Sequence, residues 1–144
     1  MRNDALGADY VRRAAVRLRA LDTLFDGESW ADVVREAQEI VELTLKGLLR
    51  LCHVDPPRIH DVSDVLLAER DRLPAALQPH LDELVSVSRQ LRRDRELAFY
   101  GAADLTPSEF YTRQDAVRAR DYARRTWERV TGALGEPLGE VNQT

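Results

Sequence analysis

The chain alternates between long amphipathic segments and short breaks that contain glycine or proline. The breaks divide the sequence into pieces of helix length. They fall at Gly27, Pro56-Pro57, Pro74, Gly101, Pro107 and Gly135. Within the pieces, apolar residues recur at spacings of three, four and seven, which is the period of a helix with one buried side. No piece alternates apolar and polar residues as a half-buried strand does, so the pattern predicts an all-α protein.

The pattern predicts four long helices and one short helix. They cover residues 5–25, 30–52, 61–70, 74–100 and 115–134, the third being the short one. The first should end at Gly27 with the glycine in a left-handed backbone, and Ser29 suits the N-cap of the second. Long helices with short connections favour an antiparallel up-and-down bundle. We expect a single domain over residues 1–135 and a disordered tail over residues 136–144.

Composition and charge narrow the class of protein. The chain has 144 residues, of which 44% are hydrophobic and 32% charged, and its net charge is −4. An overall negative charge argues against a protein whose surface is positive throughout and binds nucleic acid in bulk. No uncharged stretch is long enough to span a bilayer, and no apolar signal segment follows the N-terminus. We therefore expect a cytoplasmic protein that does not associate with membranes.

The sequence contains no self-sufficient catalytic motif. The three histidines form no HExxH or other metal-ligand spacing, and the sequence contains no glycine-rich phosphate loop. Cys52 is the one cysteine, which excludes an internal disulfide and a cysteine-based zinc site. Its position inside the second predicted helix is typical of a small core residue. We predict no metal and no cofactor.

One arginine breaks the hydrophobic pattern of the fourth helix. Counted from Leu84 at about 100° per residue, Arg95 falls within about 40° of the middle of the apolar face. A buried arginine costs several kcal/mol unless it is paired or lines a wet cleft. It could pair with Glu39 or Glu42, or it could meet an anion in a groove. Further arginines lie within two turns: Arg89, Arg92 and Arg93. Such a cluster suits phosphate groups and favours the groove.

The second helix and the loop after it resemble the HEPN family (higher eukaryotes and prokaryotes nucleotide-binding domains). AQEIVELTLKGLLRL, followed by HVDPPRIHDVSDVL, is similar to that family's AxxAVExxLKALL helix, proline-containing loop and HDL-type helix start. The matching positions are Ala37, Val41, Glu42, Leu45, Lys46, Leu48, Leu49, Pro57, His60 and Asp61. The first helix and its glycine-containing turn also resemble the family's opening.

The resemblance implies a helical bundle that dimerises, with a groove at the dimer seam. In active members, that groove holds the R-x4–6-H motif of metal-independent ribonucleases. There the histidine moves a proton and the arginine stabilises charge on the phosphorus centre. This chain keeps Arg95 but has Tyr100 at the histidine position. A tyrosine, with a pKa near 10, is a poor base at neutral pH but can donate a hydrogen bond to phosphate.

The sequence offers candidate residues for binding and for catalysis, and three competing functions. The candidates for binding are Arg92, Arg95, Tyr100, Lys46 and His60, and the candidates for catalysis in an active protein are Arg95, Tyr100 and Glu96. We expect a homodimer that binds nucleotide or RNA phosphate with weak or absent activity. It would act beside a nucleotidyltransferase or an antitoxin. The alternatives are an active ribonuclease toxin and a helical interaction scaffold.

Each candidate also has a purely structural interpretation. Tyr100 could pack at the helix end beside Gly101, and Lys46 could serve only as the i, i+4 partner of Glu42. His60 could pack back onto the bundle where the third helix begins.

Overall fold

The fold is built from helices throughout the part of the chain that the computed structural model describes. That part comprises residues 2–58, 62–100 and 106–135, with the backbone alone for residues 2 and 94–100. The helices are α1 (Arg2–Asp26), α2 (Trp30–Leu51), α3 (Val62–Ala68), α4 (Leu81–Tyr100), α5 (Pro107–Phe110) and α6 (Arg113–Leu134). No strand occurs in these ranges, which confirms the predicted all-α class. The predicted tail at 136–144 lies outside the described residues.

The long helices run alternately up and down. α1 and α2 are joined by a turn of three residues and lie antiparallel. The Arg120 guanidinium, in the first half of α6, lies 3.8 Å from the ring centroid of Phe25 at the end of α1. The indole Nε1 of Trp127, in the second half of α6, donates to the carbonyl oxygen of Val11 at 3.0 Å. α6 therefore runs antiparallel to α1.

α2 is the central helix, packed by α1, α4 and α6. One broad face of α2 is buried along its whole length, as its 3.6-residue apolar period predicts. The buried residues of α2 are Ala31, Val33, Val34, Ala37, Gln38, Ile40, Val41, Thr44, Leu45, Gly47, Leu48 and Leu49. The helix is stabilised mainly by the free energy of burying this apolar face against its neighbours.

α1 and α2 cross at two glycines. A Cβ atom added to Gly7 would lie 2.8 Å from the Gly47 carbonyl oxygen, and one added to Gly47 would lie 3.0 Å from the Gly7 carbonyl oxygen. Such distances are well inside van der Waals contact, so the two backbones meet where neither residue has a side chain. The crossing fixes the position of α1 on the central helix.

The connection between α3 and α4 differs from the prediction. The predicted third helix, residues 61–70, is shorter here and ends at Ala68. A 3₁₀ turn, Arg70–Arg72, follows α3. The predicted fourth helix, residues 74–100, begins instead with a second 3₁₀ turn, Ala75–His80, and α4 starts only at Leu81. Pro79 lies inside the second turn. Its ring lacks an N–H and would clash with a carbonyl one α-helical turn earlier, which explains the late start of α4.

The helix starts are capped in ways that the sequence predicted only in part. α6 begins at Arg113 rather than at residue 115, because Thr112 and Asp115 form a capping box with hydrogen bonds of 3.2 and 2.9 Å. Ser29 is the N-cap of α2 as predicted, but its hydroxyl donates to Asp32 at 2.6 Å and caps no backbone N–H. Thr106 caps the short helix α5, where a loop was predicted.

The turn after α1 also corrects a prediction. Gly27 was expected in the left-handed region, but Glu28 occupies it with φ of 58°. The Glu28 N–H bonds to the Phe25 carbonyl at 2.9 Å and the Ser29 N–H bonds to the Leu24 carbonyl at 3.1 Å. This is the double hydrogen bond of a Schellman motif, and it shifts the left-handed position one residue beyond the glycine.

Candidate functional site

The candidate site is built on the second half of α4. Its backbone remains helical to Tyr100, so the arginine-rich stretch lies on a regular scaffold. Leu84 and Leu91 are each 1% exposed, which confirms the apolar face predicted for this helix. Arg95 stands four positions after Leu91, and helical register therefore continues that face to its position.

Helical register also arranges the binding candidates around the helix axis. At about 100° per residue, position 92 lies roughly 60° from position 95 and roughly 80° from position 100, between the two. Arg92 and Arg93 are exposed. The exposed Arg92 thus lies, in helical register, between the other two binding candidates on α4, Arg95 and Tyr100.

Four of the predicted site residues cannot be placed by side-chain geometry. The side chains of Arg95, Glu96 and Tyr100 lie outside the described part of the structure, as does the whole of His60. Their proposed roles therefore remain predictions. The described members of the set are Arg92 and Lys46.

Arg89 is tied to the neighbouring helix α3. Its Nε donates to the Ser63 hydroxyl at 3.1 Å, and its Nη2 lies 3.0 Å from the Asp64 carboxylate. Ser63 is fully buried, whereas Asp64 is exposed. Arg89 therefore helps to hold α3 against α4, which is the structural interpretation of an arginine in this cluster.

A shallow depression of about 310 Å³ lies beside Arg89 and Arg93. Its other lining residues are Leu67, Asp82, Val85 and Ser86. The Arg93 guanidinium donates to the Gln90 side chain at 2.8 Å and remains exposed. The depression joins a basic rim to an apolar wall, an arrangement that can accept a phosphate-bearing group with an apolar part.

Lys46 belongs to a polar row on α2. Its ammonium lies 2.9 Å from one oxygen of Glu42, and the Gln38 amide donates to the other oxygen at 2.9 Å. The predicted i, i+4 pair is thus confirmed. Gln38 is 5% exposed, and its Oε1 atom is buried with no hydrogen-bond partner among the described residues. The row therefore places two charged groups and an amide oxygen with no partner among the described residues on α2, against which α4 packs.

The electrostatics of the described residues do not identify a separate catalytic centre. Among them, no three histidine, cysteine, aspartate or glutamate side chains are close enough to hold a metal ion. At Cys52, burial raises the pKa of the thiol, and the Arg72 charge partly offsets the rise. No helix in the described ranges is both long and apolar enough to cross a membrane.

The ion pairs of the α6 arginines were not among the predictions from the sequence. Arg120 stacks on Phe25 and lies 3.6 Å from Asp22, and Arg124 lies 3.3 Å from the same carboxylate. Farther along, Arg125 and Arg129 both pair with Glu83 of α4. The signal that could have identified them is their four-residue spacing beside the apolar stripe of α6.

A bundle of antiparallel helices, one of them rich in arginine, defines a class of small all-α domains. The family model of the HEPN domain matches residues 8–133. The chain therefore belongs to the HEPN domain family, as its α2 sequence suggested. Comparison with curated proteins and with solved structures gave no match.

Proposed function

We propose that this HEPN protein acts as a homodimer that binds the phosphate groups of a nucleotide or an RNA strand. Arg92, Arg95 and Tyr100 of α4 make the principal contacts, and Lys46 and His60 contribute from the neighbouring elements. The protein is non-catalytic or weakly active. It works in the cytoplasm beside a nucleotidyltransferase or an antitoxin.

The observation that supports the proposal is the position of Arg92 on an unbroken helix. α4 continues to Tyr100, and the exposed Arg92 lies between the register positions of Arg95 and Tyr100. A planar guanidinium presents paired N–H groups that match phosphate oxygens. Neighbouring arginines on one helix therefore match a phosphate group better than they match a single carboxylate.

The identity of Tyr100 supports binding over cleavage. Cleavage of RNA without a metal needs a group that accepts a proton near neutral pH. A phenol is ionised too rarely at that pH to do so, although it can still donate to a phosphate oxygen. Glu96 would have to act as the base in an active ribonuclease, which is the second candidate function.

Binding is tested by fluorescence anisotropy with a labelled single-stranded RNA. We expect Arg92→Gln and Arg95→Gln each to weaken binding about tenfold, the loss of one charge-assisted contact. Arg19→Gln is the matched control, because it removes the same charge from an exposed position on α1. Equal affinity for all three variants would contradict the proposal and leave the scaffold interpretation, for which Arg89 already provides an example.

Catalysis is tested by following the length of the RNA on a gel. We expect the wild-type protein to leave RNA intact and Tyr100→His to introduce cleavage, because an imidazole restores a base of suitable pKa. Rapid cleavage by the wild-type protein, lost in Glu96→Gln, would instead establish the ribonuclease function.

A further inference from the structure

A second depression lies on another face of the bundle. It has a volume of about 390 Å³ and lies between the 3₁₀ turn Ala75–His80 and the last turns of α6. Three of its lining residues are small: Ala76, Gly132 and Ala133. The others are polar or charged: His80, Arg125, Glu128 and Arg129. Small and charged side chains together leave room for a compact polar ligand.

One carboxylate holds the two arginines of this depression side by side. Glu83 Oε1 lies 3.2 Å from Arg125 Nη1, and Glu83 Oε2 lies 3.1 Å from Arg129 Nη2. Each carboxylate oxygen thus fixes one guanidinium. Fixing both groups before a ligand arrives removes part of the entropic cost of binding.

The two guanidinium groups carry more donors than Glu83 can satisfy. Each has five N–H donors. Arg129 Nη1 lies 3.3 Å from His80 Nε2, and Arg129 Nε is buried with no hydrogen-bond partner among the described residues. Arg125 keeps about half of its side chain exposed. Both arginines line the depression, and the exposed part of Arg125 can donate to a ligand there.

Gly132 keeps the depression open. A Cβ atom added there would meet no atom within 4 Å, and its φ is not in the left-handed region. Neither packing nor backbone conformation requires glycine at this point of α6, and glycine weakens a helix relative to alanine. Gly132 is exposed and lines the depression, so the missing side chain leaves the depression open at this point.

We propose that this depression binds a phosphate group, held between the forks of Arg125 and Arg129. Two guanidinium groups match the oxygens of a phosphate through paired N–H donors. Glu83 is already engaged with both arginines and serves to orient them. Glu128 also lines the depression and opposes an anion, so we expect weak binding.

The site is separate from the proposed RNA-binding surface. Glu83 and Arg92 are nine positions apart on α4, which places them about 180° apart around the helix and roughly 14 Å apart along it. The two proposals can therefore succeed or fail independently.

The test is a titration of the intact protein with inorganic phosphate, followed by NMR of the arginine Nε–H groups at constant ionic strength. We expect a saturable shift of the Arg129 Nε–H resonance, identified by its loss in Arg129→Lys. Arg125→Gln should weaken binding about tenfold. Gly132→Leu should abolish binding without lowering the melting temperature, because it fills the depression without removing a contact.

Arg124→Gln is the matched control, since Arg124 precedes Arg125 on α6 but pairs with Asp22 of α1. It should bind phosphate as the wild-type protein does. Tighter binding of adenosine monophosphate than of inorganic phosphate would identify a nucleotide as the source of the group, and equal binding would identify free phosphate. No saturable shift at tens of millimolar phosphate, or the same shift in Gly132→Leu, would overturn the proposal.

Discussion

Two helices end on left-handed residues that carry side chains. Glu28 follows α1 with φ of 58°, and His53 follows α2 with φ of 61°. At the second end, the Val54 N–H bonds to the Leu49 carbonyl at 2.8 Å and the His53 N–H bonds to the Arg50 carbonyl at 3.0 Å. Both ends thus use Schellman geometry without its preferred glycine, which costs about 1 kcal/mol at each position.

The first of these ends gives a stability prediction. Glu28→Gly should raise the free energy of unfolding by up to about 1 kcal/mol, because glycine adopts the left-handed region without strain. Gly27→Ala should be neutral or slightly stabilising, since its Cβ would meet only ordinary contacts at 3.6 and 3.7 Å. Urea denaturation measures both. A marked loss of stability in Gly27→Ala would restore the original prediction for that glycine.

Cys52 gives a prediction of pH dependence. Burial raises the pKa of its thiol, and Arg72 lowers it by a smaller amount. The thiolate is the reactive form, so alkylation by iodoacetamide at neutral pH should be slower than for a cysteine peptide and should increase as the pH approaches the raised pKa. The neutral thiol stabilises the fold below the ordinary pKa, and that contribution is lost as the pH rises through the raised value.

Arg72 supplies the control for this measurement. Arg72→Gln should slow the alkylation further, whereas Arg72→Lys should preserve the rate because it keeps a positive charge nearby. Mass spectrometry of samples taken over a range of pH gives the rates. Alkylation as fast as in a peptide at neutral pH would show that the thiol is not protected by burial.

At the scale of elements, the close crossing of α1 and α2 determines which glycine can accept a side chain. Gly47→Ala should lower the free energy of unfolding by about 1–3 kcal/mol, because the new methyl group would lie 2.8 Å from a side-chain carbon of Val11 and close to the α1 backbone. The matched control is Gly132→Ala in α6. It should stabilise the protein by up to about 1 kcal/mol, because a helix gains from alanine where there is space.

Thermal unfolding compares the two glycine variants directly. Equal changes in the free energy of unfolding would mean that helix propensity alone determines the stability of both variants. The close approach at Gly47 would then be relieved by a small shift of α1.

The elements could be predicted where hydrophobic periodicity was long. α2 was found to within one residue at its C-terminal end, since its apolar face spans six turns. The start of α4 was missed because Pro74 suits a helix start, while the effect of Pro79 depends on the backbone ahead of it. α5 was missed because four residues are too few to show a period.

The candidate site was predictable in residue type and less so in partners. The Glu42–Lys46 pair followed from spacing alone. The contacts of Arg89 with Ser63 and Asp64 could not be predicted, because they join residues 26 and 25 positions apart. For the same reason the ion pairs of Glu83 with Arg125 and Arg129 could not be predicted, since they form only when α4 and α6 pack together.

At the scale of the whole molecule, charge is negative overall and positive locally. The net charge is −4, while residues 89–96 carry four arginines against Asp94 and Glu96. RNA binding at such a surface depends on a few phosphate contacts and so varies with salt.

This distribution gives a prediction for the proposed RNA complex. Each arginine removed from the binding surface should reduce the slope of log affinity against log salt by about 0.7, the value for single strands. Arg92→Gln measured by anisotropy at several salt concentrations checks this, with Arg19→Gln as the reference. An unchanged slope in Arg92→Gln would mean that Arg92 contacts no phosphate.

The glycine crossing has a further consequence for the order of assembly. α1 and α2 are neighbours in the chain, so bringing them together closes only a short loop and loses little chain entropy. α6 must instead return from the far end of the sequence to reach α1. We therefore expect the first two helices to form a hairpin early, on which the later helices dock, and amide protons at the crossing to be among the last to exchange.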